Sequence, residues 1–239
     1  MDLDFLGKTF VQLLGGVPLL VQLAAFSIAA GAGLAVALAL MRLSGNAPLD
    51  AIARGYVFVF RGTPLLVQIF LIYYGLGQFP AIRESVLWPF LRQPYWCALL
   101  ALTLNTAAYS SEIIRSGILS VPFGQIEAAR ACGMSRALVF RRIIVPQGLR
   151  VALPAYGNEI ILMTRATALA SVITLMEVTG IASKIISETF RAVEVFVCAG
   201  AIYLLINFAI SRGVAWLERR LSPQVAEAPA GTAIPKFAR

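Results

Sequence analysis

The longest stretch without a charged residue decides what this chain can fold into. From Thr9 to Met41, 33 consecutive residues carry no charge. A helix rises about 1.5 Å per residue, so roughly 20 apolar residues cross a hydrocarbon core of about 30 Å. The run is therefore read as a membrane span, placed at Pro18–Met41. Charge-free intervals of 21, 19 and 17 residues follow between Arg61 and Arg83, Arg92 and Glu112, and Glu194 and Arg212. They place further spans near residues 56–76, 94–114 and 195–216. The stretch 149–175 is apolar but holds Arg150, Glu159 and Arg165, and it is counted as the fourth span of five. The composition agrees: only 13% of the 239 residues are charged, against roughly 25% in a soluble domain. The expected fold is all-α and polytopic, with a transmembrane domain over residues 18–221.

The ends are read separately. Residues 1–17 carry Leu6, Phe10, Leu13 and Val17 at helical spacing. That stripe suits either a helix lying in the membrane interface or an extension of the first span. It is not a cleaved signal, because Asp2 and Asp4 stand where a basic region belongs and the apolar run is too long. Residues 222–239 are rich in Pro and Ala, lack an apolar period, and read as a flexible tail.

Charge sets orientation. With the N-terminus outside, ten arginines from Arg42 to Arg220 fall on inner segments. Lys8, Arg83, Arg92, Lys184 and Arg191 fall outside. Basic residues concentrate on the cytoplasmic side, so the expectation is N-terminus out and C-terminus in. The net charge of +8 is read as this asymmetry and not as a sign of nucleic acid. The chain has no histidine, which excludes Ser-His-Asp and Cys-His catalysis and every His-ligated metal site within it. Cys97, Cys132 and Cys198 have no metal-ligand spacing. No cofactor is expected.

The segment between the third and fourth spans, residues 119–146, is the most informative. Ser120 is placed to cap a short helix with Pro122 in its first turn. Glu127-Ala128-Ala129-Arg130-Ala131-Cys132 form its body and Gly133 ends it. Ser135 can cap a second, basic and amphipathic helix carrying Arg136, Arg141 and Arg142, suited to the cytoplasmic interface, and Pro146 is expected to bend the chain toward span four. A short helix held outside the lipid between two spans is a poor anchor and a good lever for a partner, or else an ordinary structured loop.

Glu127-Ala128-Ala129, three residues, Gly133, nine residues, then Ile143, Val145 and Pro146 reproduce the EAA-loop spacing of permease subunits of bacterial ABC importers, with Val145 in place of the usual Leu. Residues 61–68 (RGTPLLVQ), 105–109 (NTAAY), 111–115 (SEIIR) and 153–159 (LPAYGNE) resemble the polar amino acid branch. Within it, the chain is most similar to histidine/lysine/arginine/ornithine and opine permeases. The resemblance implies a type I importer permease in a bacterial inner membrane, with no catalysis of its own. Two permease subunits, identical or paralogous, would form the path. Two ATP-binding subunits would grip coupling helices at Glu127, Ala128, Ala129 and Gly133, and a periplasmic substrate-binding protein would deliver polar, cationic amino acids or opines. Consistently, the only Gly-Lys-Thr, Gly7-Lys8-Thr9, has Asp2 where a P-loop needs its first glycine.

Polar groups inside spans are costly, about 2.5–3.5 kcal/mol for a charge at the bilayer centre, and usually face a protein interior or a water path. Asn105, Tyr109 and Glu112 share a helix face. Asn158, Glu159, Arg165, Thr167 and Ser171 lie on the fourth span. Asn105, Glu112, Asn158, Glu159, Arg165, Thr167 and Ser171 are the candidates for the substrate path. The alternative is structural: Glu112 paired with Arg115, and Glu159 and Arg165 holding a permease pair together. Arg61 is expected to snorkel to the inner face, beside a kink at Gly62-Thr63-Pro64. A competing function is a self-sufficient secondary transporter or channel; those often show inverted repeats, and none is visible here. An intramembrane enzyme is disfavoured, because no nucleophile–base pair is evident.

Overall fold

The computed structural model describes Leu3–Leu221. The expected tail, 222–239, lies outside the described residues. These fold into helices α1 (Leu3–Leu14), α2 (Val17–Leu43), α3 (Ala47–Gly62), α4 (Leu65–Phe70), α5 (Pro80–Arg83), α6 (Trp88–Leu91), α7 (Pro94–Leu119), α8 (Phe123–Ala131), α9 (Arg136–Val139), α10 (Val145–Ala166), α11 (Val178–Thr189) and α12 (Ala192–Leu221), with no strand among the described residues. Three helical runs are long and apolar enough to cross a membrane, Leu3–Leu43, Pro94–Leu119 and Ala192–Leu221. Two bent pairs bring the total to five if each counts as one span.

The apolar stripe of α1 extends the first span. Leu13 is fully buried against Val178 and Val195, with Leu6, Phe10 and Val17 packed around them. Together α1 and α2 make a 41-residue helical run, about 60 Å long. Ser44 and Gly45 close α2, with Gly45 at φ +73, a conformation glycine adopts without steric cost. Asn46 then caps α3 by accepting from the Leu49 N–H.

α7 is the central post. It packs along α2 more extensively than any other helix pair packs, and next along α10. Small residues make these approaches possible, as is usual between helices in lipid. A Cβ on Gly31 of α2 would strike Thr106 of α7. Gly117 of α7 crosses Gly148 of α10 so closely that a Cβ on Gly117 would sit 2.5 Å from the Gly148 carbonyl oxygen.

Three local expectations need correction. The kink expected in the second span is a full break: α3 and the helical segment Leu65–Gln78 meet at 103°. Pro64 lacks an N–H and Thr63 before it is extended (φ −114, ψ 142), so the helix breaks there outright. Ser120 does not cap the next helix. α7 runs on to Leu119, so the Ser120 hydroxyl instead donates to the Gly117 carbonyl, and the extended Pro122 precedes α8. Pro146 does not interrupt its helix. A π-helical turn, Phe140–Ile144, joins α9 to α10, and Pro146 sits in the first turn of α10, where no N–H is required. Beyond α10 a 3-10 turn, Thr167–Ile173, ends at Thr174 in the left-handed region (φ 71), and α11 departs at 47°.

Candidate functional site

The break after α3 is tied to α7 by side chains. Gln68, 5% exposed, donates its amide to the carbonyls of Phe60 (2.9 Å) and Thr63 (3.1 Å) and to the Thr63 hydroxyl (2.8 Å). These groups are left free when the helix ladder stops, and unsatisfied backbone polar groups are expensive in lipid. Asn105 of α7 donates to the Gln68 side-chain oxygen (3.1 Å) and to Phe60 O (3.3 Å). Tyr56 adds a bond from its hydroxyl to Leu104 O at 2.8 Å. Asn105, a candidate for the path, thus serves to clamp the elbow. Gln68→Leu is expected to loosen it, because each buried acceptor left unpaired costs about 1–3 kcal/mol. Limited proteolysis in detergent should then cut near residues 62–64 in the variant and spare the parent.

The elbow holds Arg61 against α7. Its guanidinium lies over the Tyr109 ring, 5.1 Å from the centroid, within cation–π range. Tyr109 stands about 22 Å along a helix of about 38 Å. Across from it, Glu159 of α10 is 7% exposed and accepts from Thr106 Oγ1 at 2.9 Å. Thr106 and Tyr109 lie three residues apart on one face of α7, so Glu159 and Arg61 meet the same stretch of that helix, yet the two form no salt bridge; the ion pairs among the described residues involve other groups. Tyr156 lies three residues before Glu159, one turn away on α10. Within the helical bundle, then, a buried acid and an accessible base meet the same stretch of α7 without direct contact.

The other candidates separate from this site. Glu112 is bracketed by arginines: Arg42 of α2 pairs with one carboxylate oxygen, and Arg115 binds the other at 2.9 Å. Asp50 of α3 lies 3.6 Å from Arg42 and pairs with Arg54. This network ties the C-terminal parts of α2 and α7 to the start of α3, which favours the structural alternative for Glu112. Arg165 is exposed and does not pair with Glu159; six residues along a helix turn the two about 120° apart. Asn158 is exposed. The hydroxyls of Thr167 and Ser171 satisfy carbonyls of the 3-10 turn, Thr164 O and Ala168 O. Gln68, Thr106 and Tyr156 were not anticipated; being uncharged, they do not interrupt an apolar run. Glu177 was missed too. Fully buried, it caps α11 at Gly180 N (3.0 Å) and accepts from the Tyr203 hydroxyl at 2.7 Å.

At the far end of α7, α8 stands out from the bundle. Its C-terminus closes with Gly133 N bonded to Arg130 O (2.9 Å) and Met134 N to Ala129 O (3.1 Å), with Gly133 at φ +81, a Schellman ending. Glu127, Ala128 and Gly133 are exposed, while Ala129 packs inward. Ser135 accepts from the Leu138 N–H, as expected. A bond from the Gln147 amide to Gln125 Oε1 (2.6 Å) ties α8 to the root of α10, the helix that carries Glu159.

Comparison with known proteins agrees with this architecture. Residues 27–223 match the family described as binding-protein-dependent transport system inner membrane component. The chain is 65% identical to the octopine transport system permease protein OccM of Rhizobium meliloti, over 92% of this chain and 90% of that one. It is 54% identical to the nopaline transport system permease protein NocM of Agrobacterium fabrum, over 100% of this chain and 99% of that one. Among solved structures, an amino acid ABC transporter crystallised with histidines superposes with a TM-score of 0.82 at 36% identity, covering 92% of this chain and 99% of that chain. The chain belongs to the binding-protein-dependent transport system inner membrane components.

Proposed function

We propose that this chain, over residues 18–221, forms half of the membrane path of an ATP-driven importer for cationic amino acids or opines. The observation that carries the reading is that a buried acid, Glu159, and an exposed base, Arg61, meet the same stretch of α7, one through Thr106 and the other over Tyr109. A carboxylate suits the guanidinium or ammonium group of such a cargo, and a guanidinium suits its carboxylate. Opines carry extra carboxylates, and the exposed Arg165 on the same helix is available to one of them. A second permease, identical or paralogous, supplies the other half. A substrate-binding protein delivers cargo from outside, and residues 1–17 belong to the outer side. Two ATP-binding subunits receive α8 through Glu127, Ala128 and Gly133, with Ala129 holding the helix to its own subunit. Their closure pulls α8, and the Gln125–Gln147 tie carries that pull into α10. The permease itself performs no catalysis. The basic inner ends of α2, α7 and α12 support an N-terminus outside and a C-terminus in the cytosol.

Proteoliposomes test the reading. Uptake of arginine or an opine is expected to require the ATP-binding subunits, ATP and the substrate-binding protein together. Uptake by the permease alone, driven by an ion gradient, would favour a secondary transporter instead.

A further inference from the structure

At the end of the molecule that carries α8, an apolar groove of about 200 Å³ opens between α2, α7 and the start of α10. Val36 and Leu40 form one wall, Ile118 closes one side, and Phe140, Val145 and Leu149 form the other wall. Its floor is low because Gly148 carries no side chain and packs directly on Gly117. Ligand pockets for drug-sized molecules measure about 300–1,000 Å³; this groove is narrower and almost wholly apolar. Val36, Leu40 and Leu149 remain 45%, 48% and 60% exposed along it.

The mouth of the groove is cationic. Arg141 precedes Val145 and Gly148 by four and seven residues, and Arg142 precedes Leu149 by seven. Through the π-helical turn Phe140–Ile144, four residues are close to one full turn, so Arg141 stands above Val145, and Arg142 follows it in the same turn, beyond the end of the groove nearer α8. Side chains on a helix lean toward its N-terminus, so both reach away from the apolar floor. Both are exposed, and neither takes part in the ion pairs among the described residues.

We infer that this groove binds an anionic phospholipid of the inner leaflet, with one acyl chain along Leu40, Phe140 and Leu149 and the phosphate on Arg141 and Arg142. Basic pockets between helices on the cytoplasmic side bind lipid headgroups of this class. A narrow apolar slot beneath two unpaired guanidiniums matches an acyl chain below a phosphate. The inference rests on the orientation proposed above, with α8 on the cytoplasmic side. The lipid would brace α2 against the root of α10, next to the helix that the ATP-binding subunits are proposed to move.

The test uses the complete complex, purified from vesicles of phosphatidylcholine containing phosphatidylglycerol, with retained lipid counted by native mass spectrometry. The parent is expected to retain phosphatidylglycerol in preference to phosphatidylcholine. Arg141→Gln/Arg142→Gln is expected to lower phosphatidylglycerol retention about thirtyfold, since each basic residue near an anionic surface is worth about a fivefold change. Leu40→Trp, which fills the groove from an exposed position, is expected to lower retention of both lipids. Equal retention of the two lipids by the parent, or unchanged phosphatidylglycerol in the double variant, would overturn the inference. So would a double variant that loses ATP-binding subunits while keeping its lipid, because the arginines would then be a protein contact. Co-purification of the ATP-binding subunits with the parent is scored in the same sample, so failure of the importer reading is seen separately from failure of the lipid site.

Discussion

Glu159→Gln is expected to weaken uptake of a cationic cargo by about ten- to a hundredfold while the importer still assembles. The magnitude follows from losing a charged partner for a guanidinium or ammonium group, worth about 1.5–3 kcal/mol. Assembly is spared because a glutamine oxygen can still accept from Thr106 Oγ1, the bond that orients Glu159 at 2.9 Å. Arg61→Gln supplies the complementary loss. It removes the base over Tyr109 and should weaken recognition of the cargo's carboxylate, most sharply for opines. The measurement is ATP-driven uptake in proteoliposomes across a range of cargo concentrations, with subunit recovery scored on the same preparation. Parental uptake by Glu159→Gln would remove Glu159 from the path and return it to the role of a structural acid. Loss of subunit recovery together with uptake would point the same way.

How much of this was legible in the sequence depends on what each element needs. Spans announce themselves through long charge-free runs, because a charge at the bilayer centre costs about 2.5–3.5 kcal/mol, and α2, α7 and α12 stand where those runs stand. The end of α8 was legible because it depends on one backbone conformation that Gly133 supplies. The 103° elbow was only half legible. Gly62-Thr63-Pro64 signalled a kink, but its size is set by Gln68 and Asn105, which satisfy the freed carbonyls from residues distant in the chain. Glu112 and Glu159 look alike as acids on apolar helices. Only tertiary packing separates them, by giving one two arginines and the other a threonine hydroxyl.

The second large effect is expected at Gly133. Its φ of +81 costs glycine nothing, whereas a β-branched residue there meets the steric penalty of the left-handed region, roughly 1–2 kcal/mol. Gly133→Val therefore places the strain on the two bonds that end α8, Gly133 N to Arg130 O and Met134 N to Ala129 O. Nothing stands within 4 Å of the Cβ position, so the effect is one of backbone and not of crowding within the chain. If α8 is the handle that the ATP-binding subunits grip, its misdirected end should lower their recovery with the purified permease about five- to thirtyfold and all but abolish ATP-driven uptake. The permease should still insert, because α8 lies outside the packed spans. Gly133→Asn is the control, since asparagine enters the left-handed region readily; it should preserve recovery and uptake unless the partner packs directly against the missing side chain. Full coupling by Gly133→Val would mean that the ending of α8 is incidental and that the partner holds the permease elsewhere. Failure of both variants, with insertion intact, would instead place the ATP-binding surface directly on Gly133.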